Sequence, residues 1–257
     1  MKRCRLFAVA VLALLPVLAG AVQAAVPRYT VRVVTTYPHD VKAFTEGLFY
    51  LDGSLYESTG LHGTSSVRKV ALDTGAVLKS VNIDRRYFGE GIAPWKGRII
   101  GLTWQSRTGF VWNGKDFKLA STFRYTGEGW GMTQDGRSLI MSDGTPTLKF
   151  LNPVSLKVTR KLNVTLDGQT IDQINELEWV KGEVLANVWR SRAILRIDPK
   201  DGKVTGIVDL TALPETTGMT DPDAVANGIA FDPIGNRLFV TGKMWPHLYQ
   251  VELVPVP

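Results

Sequence analysis

Cysteine is almost absent from this 257-residue chain, Cys4 being the only one. No intramolecular disulfide can form, and no zinc site can be built from cysteines. Histidine is also scarce. His39, His62 and His247 lie far apart, so there is no local HExxH metal motif. Helical periodicity is missing, and no amphipathic stretch runs beyond two turns. No run of lysine and arginine marks a nucleic-acid partner. The residues are 44% hydrophobic and 21% charged, which excludes the disordered, collagen-like and coiled-coil classes.

Only one long apolar run is present. It covers the 13 residues from Leu6 to Leu18, short of the ~20 needed to span a bilayer. Lys2, Arg3 and Arg5 precede it, and small residues around Ala21, Ala24 and Ala25 follow. This three-part layout predicts a signal peptide over residues 1–24, cleaved after Ala24. Residues 25–257 are then one exported domain, periplasmic or secreted, with no membrane association after cleavage. That domain is expected to be a monomer. Cleavage removes three cations and Cys4, so the net charge of +6 falls to about +3. A mildly cationic surface is the reading this supports.

The mature chain reads as β-sheet. Short alternating or β-branched runs such as Tyr29–Thr36, Val67–Leu72, Val77–Ile83 and Ile194–Ile197 alternate with turn pairs. Asp52-Gly53, Lys96-Gly97, Asp135-Gly136, Lys181-Gly182 and Asp201-Gly202 are such pairs. Self-comparison aligns five segments, beginning at Glu46, Glu90, Trp130, Asn175 and Asn227. Each has an apolar strand, a turn and a second apolar strand, at spacings of 44, 40, 45 and 52 residues. A period of this length with about four strands predicts a five-bladed β-propeller. The fifth repeat ends one strand short. The unmatched strand Tyr29–Thr36 is expected to complete it and close the ring. A β-sandwich is the competing fold, but it does not explain the period.

In such a ring, equivalent positions meet at one height around the axis. Four of the five lead residues are polar: Glu46, Glu90, Asn175 and Asn227. Near the end of the second strands come Trp104, Trp189 and Lys243, the last followed by Met244-Trp245. Two carboxylates, amides, a lysine and tryptophans are therefore expected to ring one mouth of the channel. Acids held near a lysine perturb one another's pKa values, as catalytic groups do. Each residue also has a plainer explanation as a strand cap, turn group or core side chain. Shared register is what argues for a site.

Seven strings in order carry a resemblance: Phe44-Thr-Glu-Gly-Leu48, Tyr87-Phe-Gly-Glu-Gly91, Gly101-Leu-Thr-Trp104, Gly127-Glu-Gly-Trp-Gly131, Ile174-Asn-Glu-Leu-Glu-Trp179, Ala186-Asn-Val-Trp189 and Thr241-Gly-Lys-Met-Trp245. Together they resemble the plant and bacterial type of glutaminyl cyclase, over nearly all of residues 29–250. The resemblance implies a five-bladed propeller. It also implies cyclisation of N-terminal glutamine to pyroglutamate with release of ammonia, on peptide or protein substrates. Carried over by motif, Glu90 is the central acid and base, with Asn175 and Lys243 beside the carboxamide. Phe44, Trp104, Trp130 and Trp189 line the substrate pocket. Glu46 lies near the substrate amine, at a position where the plant enzyme resembled here has glutamine.

No cofactor is required by that chemistry. A structural channel calcium is conceivable, although no DxDxDG loop marks one. The alternative from another class is a non-catalytic secreted propeller binding peptides or glycans at a tryptophan-lined mouth. A calcium-dependent lactone hydrolase would want more channel carboxylates than the repeats supply. Asn163-Val-Thr165 is a glycosylation sequon that matters only in a eukaryotic secretory route.

Overall fold

The computed structural model describes residues 25–257, so the signal segment expected over 1–24 lies outside the described residues. Almost every regular element is a strand. After β1 (Arg28–Pro38), the strands β2 (Thr45–Leu51), β3 (Ser54–Thr59), β4 (Ser66–Ala71) and β5 (Val77–Asn82) form one four-stranded antiparallel sheet. A second contains β6 (Gly89–Trp95), β7 (Arg98–Thr103), β8 (Thr108–Asn113) and β9 (Leu119–Arg124). A third contains β10 (Met132–Gln134), β11 (Leu139–Met141), β12 (Thr147–Leu151) and β13 (Val158–Asn163). A two-residue hairpin, β14 (Thr165–Leu166) with β15 (Gln169–Thr170), follows.

The rest of the chain builds a larger sheet. β16 (Ile174–Val180), β17 (Glu183–Val188), β18 (Ala193–Ile197) and β19 (Val204–Asp209) make one half. One turn of helix, α1 (Glu215–Gly218), then leads to β20 (Ala226–Asp232), β21 (Arg237–Gly242) and β22 (His247–Pro255). The eight-stranded order is β16-β17-β18-β19-β1-β22-β21-β20. β1 runs antiparallel to β22, from Tyr29 opposite Pro255 to Pro38 opposite His247. It also runs parallel to β19 over Arg28–Thr30. The sequence pointed only to the first pairing. The second covers the outer edge of β19 as well, so one strand blunts two edges.

Local chemistry explains the regularity. Asp52-Gly53, Lys96-Gly97 and Lys181-Gly182 take positive φ at both residues. Two such residues make the type I′ turn whose twist suits a tight hairpin. First strands are buried, whereas β5, β9 and β13 are largely exposed. Burial thus grades from the fourth strand of a sheet to its first. The core lies between neighbouring sheets. Phe49, Tyr56 and Val67 of the first sheet pack with Ile92, Ile99 and Trp112 of the second. Contacts between first strands close a cycle: β2 with β6, β6 with β10, β10 with β16, β16 with β20, and β20 with β2.

Trp245 departs from expectation. It is fully buried in the core of the last sheet and donates its indole N–H to the Ala224 carbonyl at 3.0 Å. It braces the segment that carries Lys243 and does not line the mouth. No helix among the described residues is long and apolar enough to cross a membrane.

A buried ionic network locks β2, β3 and β4 to that same segment. Glu57 on β3 accepts from Thr45 at 2.7 Å and from Arg68 Nε at 2.8 Å, and pairs with His39 Nε2 at 3.0 Å. His39 Nδ1 faces the Trp245 carbonyl at 2.6 Å. Both ring nitrogens meet acceptors, so the ring carries both protons. Burial opposes that charge, but Glu57 holds the His39 pKa above its ordinary value. Burial would also raise Glu57, yet His39 and Arg68 hold it down to about 2.

A depressed carboxyl pKa contributes stability that is complete above the unfolded value and fades as pH falls through the folded one. Glu57→Gln should therefore lower stability by about 3–5 kcal/mol at neutral pH, because buried cations lose their partner. In urea unfolding the gap to wild type should narrow as pH drops from 4.5 towards about 2. A gap that does not change with pH would show that the network contributes nothing through its charge.

Candidate active site

Four lead residues of the repeats occupy one structural position. Glu46, Glu90, Asn175 and Asn227 are each the second residue of a first strand: β2, β6, β16 and β20. At each of them the pairing register slips, between Thr45 and Gly47, Gly89 and Ile92, Ile174 and Leu177, and Ala226 and Ile229. A bulge inserts an unpaired residue and re-aims its side chain. The short β10 begins after Trp130, so that lead residue sits outside its strand.

Glu46, Glu90, Asn175 and Lys243 line a cavity of about 270 Å³. Its aromatic walls are Phe44, Phe88, Trp104, Trp130 and Trp189, with Leu61 and Asp223 also in the lining. Of the residues expected at the mouth, the structure brings Glu46, Glu90, Asn175, Lys243, Phe44, Trp104, Trp130 and Trp189 into one cavity, but not Asn227 or Trp245. Asn227 stands behind it, fully buried, donating to the Thr45 carbonyl at 2.8 Å and to Glu46 Oε2 at 3.2 Å.

The polar floor is tightly coupled. Lys243 Nζ lies 2.7 Å from Glu46 Oε1, both side chains being buried, and 4.4 Å from the centre of the Phe44 ring. Burial pushes the Glu46 carboxyl up to about 7, even though Lys243 pulls it down. Glu90 is raised well above the usual carboxylate range, by burial first and then by the charge of Glu46. Both effects favour the protonated form of Glu90. Asn175 has a buried Oδ1 with no hydrogen-bond partner.

The walls are held by a residue that the sequence reading passed over. Glu128 Oε2 accepts the indole N–H of Trp104 at 2.7 Å and that of Trp130 at 2.9 Å. Phe88, Leu61 and Asp223 were also missed. Phe88 and Glu128 each stand two residues before a lead residue, on the same face of an extended segment, so period-two spacing was the available signal. Asp223 lies in the segment that makes the last repeat spacing the longest.

Comparison with known proteins decides the family. The glutamine cyclotransferase family model matches residues 7–253. A glutaminyl-peptide cyclotransferase of Arabidopsis thaliana is 44% identical over 228 residues, 87% of this chain and 71% of that protein. The chain belongs to the glutamine cyclotransferase family. The crystal structure of Myxococcus xanthus glutaminyl cyclase superposes with a TM-score of 0.85 at 36% identity, covering 91% of this chain and all of that one. This cyclotransferase-family chain therefore shares its all-β fold with a solved member, at an identity high enough to carry more than architecture.

Within this family member, the Glu46–Lys243 pair spans the cavity floor between the first sheet and the last. Lys243→Met should remove the cation that restrains the Glu46 carboxyl. Its midpoint, followed by ¹³C-glutamate NMR, should then rise above the wild-type value of about 7. A midpoint that stays in place or falls would dissociate Lys243 from the electrostatics of Glu46.

Proposed function

We infer that this chain is a glutaminyl-peptide cyclotransferase, which closes the N-terminal glutamine of a peptide or protein into pyroglutamate and releases ammonia. The observation that carries this reading is the buried Glu90, its carboxyl raised above the usual range, beside the Glu46–Lys243 pair at the base of an aromatic cavity. The fold reads as a five-bladed propeller, with the eight-stranded sheet taken as two four-stranded blades and β1 as the outer strand of the last. Residues 1–24 read as a signal that exports residues 25–257 as one monomeric domain, periplasmic or secreted.

The reaction is intramolecular, since the substrate's α-amine is the nucleophile. The first requirement is to hold the glutamine side chain folded, with the amine against the carboxamide carbon. The aromatic walls, Phe44, Trp104, Trp130 and Trp189, surround the apolar stem and exclude water. Orientation of this kind can lower a barrier by several kcal/mol. Glu90, as carboxylate, takes a proton from the nitrogen as the new C–N bond forms. It then returns that proton to the departing NH₂ as the old C–N bond breaks, and ammonia leaves. The negative charge that gathers on the carboxamide oxygen meets Lys243. The Asn175 amide stands beside Lys243 as a second donor to that oxygen, the role its motif implies, and Glu46 faces the amine. Nucleophile and leaving group both belong to the substrate, so the steps need no cofactor.

Both proton-bearing partners set the pH response. The amine attacks only when neutral, with a pKa of roughly 7.7–8. Glu90 acts as base only once its raised carboxyl has ionised. Activity should rise from pH 6 to about 8, and a flat profile would mean that another step limits the rate. Glu90→Gln should lower turnover by at least ~10²-fold while the protein stays folded. Ammonia release from a peptide beginning with glutamine, with its ~17 Da mass loss, tests the reaction. The same peptide with an acetylated N-terminus lacks the nucleophile and should release none. A folded wild type that releases ammonia from neither peptide would turn the cavity into a recognition site.

A further inference from the structure

We propose that Glu128 is the positioning residue of the glutamine pocket, whose single carboxylate holds Trp104 and Trp130 in register and so fixes the aromatic wall around the substrate. The proposal deepens the cyclotransferase reading and rests on it for its kinetic arm.

The two tryptophans come from different sheets. Trp104 follows β7, and Trp130 precedes β10. Both indole N–H groups converge on Glu128 Oε2, at 2.7 and 2.9 Å, while Oε1 accepts from Gln105 Nε2 at 3.1 Å. An indole N–H can only donate, and in an apolar wall it needs an acceptor. An anionic acceptor makes both bonds charge-assisted.

From this point the wall propagates in two directions. Trp104 meets Phe88 edge-on at 5.7 Å, and Phe88 meets Phe44 edge-on at 6.1 Å. Trp130 meets Trp189 edge-on at 6.0 Å. One carboxylate therefore joins two aromatic runs into a single arc around the cavity. The far face of Trp130 is closed too, since a Cβ at Gly144 would lie 2.7 Å from its ring. Glu128 itself is held by its loop. Lys149 pairs with Asp143 at 2.6 Å and donates to the Thr126 carbonyl at 3.0 Å, two residues before Glu128.

The charge of Glu128 has a second effect. It adds to burial and to Glu46 in raising the Glu90 carboxyl, while Lys243 opposes it. Tyr125 and Asp223 are the other titratable groups around that floor. Geometry and charge can be separated by substitution. Glutamine at position 128 keeps an acceptor oxygen but not the charge, and leucine keeps neither.

The test uses the full-length mature protein with a glutamine-initiated peptide, together with ¹H–¹⁵N spectra of the tryptophan indoles. In Glu128→Leu the indole N–H signals of Trp104 and Trp130 should move upfield. KM should rise roughly 5- to 100-fold, the range for losing a buried hydrogen bond. Glu128→Gln should recover most of the KM while still shifting the acidic limb of the rate profile to lower pH, because Glu90 has lost a negative neighbour. A folded Glu128→Leu with unmoved indole signals overturns the proposal. So does a Glu128→Gln variant whose KM matches that of Glu128→Leu. The indole signals report on Glu128 even where the wild type fails to cyclise glutamine, so the two failures are distinguishable. Should Glu128→Leu not fold, Glu128→Gln with unmoved indole signals and an unmoved pH limb overturns it equally.

Discussion

The first strands of neighbouring sheets approach until there is no room between them for a side chain. A Cβ at Gly91 would lie 2.5 Å from the Trp130 carbonyl, one at Gly131 would lie 2.1 Å from the Asn175 carbonyl, and one at Gly47 would lie 2.6 Å from the Ile92 nitrogen. Each is closer than van der Waals contact allows, so glycine is required by proximity and not by backbone angle. These glycines directly follow Glu46, Glu90 and Trp130. At Glu46 and Glu90 the close approach and the bulge belong together. The strand that must be bare where it meets its neighbour turns the preceding residue towards the mouth. The functional side chains are in this sense the other half of a packing solution.

The fourth first strand solves the same problem differently. Where the others have glycine after the lead residue, β16 has Glu176, fully buried. Its carboxyl accepts from the Leu48 nitrogen at 3.3 Å and the Ile229 nitrogen at 3.0 Å, tying β16 to β2 and β20. Burial and Glu178 raise it far above the ordinary range. Glu178, raised by burial to about 8, accepts from Phe231 and Thr133. Burial thus favours the protonated form of both carboxyls, which serve as hydrogen-bond partners for the neighbouring first strands.

Much of this was legible in the sequence because the repeat is geometric. Glu46, Glu90, Asn175 and Asn227 stand at equal positions, and equal positions in repeated units meet in space. What the alignment could not carry were groups whose role lies in contacts across sheets. Glu176 looked like an ordinary acid in an apolar strand, and only its reach to β2 and β20 explains it. Glu128 precedes its repeat and owes its role to a tryptophan of another sheet. The parallel pairing of β1 with β19 spans three residues, too few to leave a pattern. Trp245 shared a string with Lys243, but Met244 between them takes a positive φ of 60° and turns the chain. One reached the floor and the other entered the core.

The site also has a coherent electrostatic logic. A group that must take a proton from an attacking amine and give it to a departing one works best with a pKa near the working pH. An exposed glutamate is too acidic to return the proton readily. Burial alone would carry Glu90 far in the other direction, with two carboxylate neighbours pushing the same way. Lys243 is the counterweight. By pairing with Glu46 it pulls on both acids at once, so the proton affinity of Glu90 depends on a contact between the first and last sheets. That contact is made where the chain's two ends meet, beside the pairing of β1 with β22 and beneath the His39–Trp245 bond. Ring closure and acid strength are therefore set by the same few residues, and loosening the closure would detune the acid before it unfolded the protein.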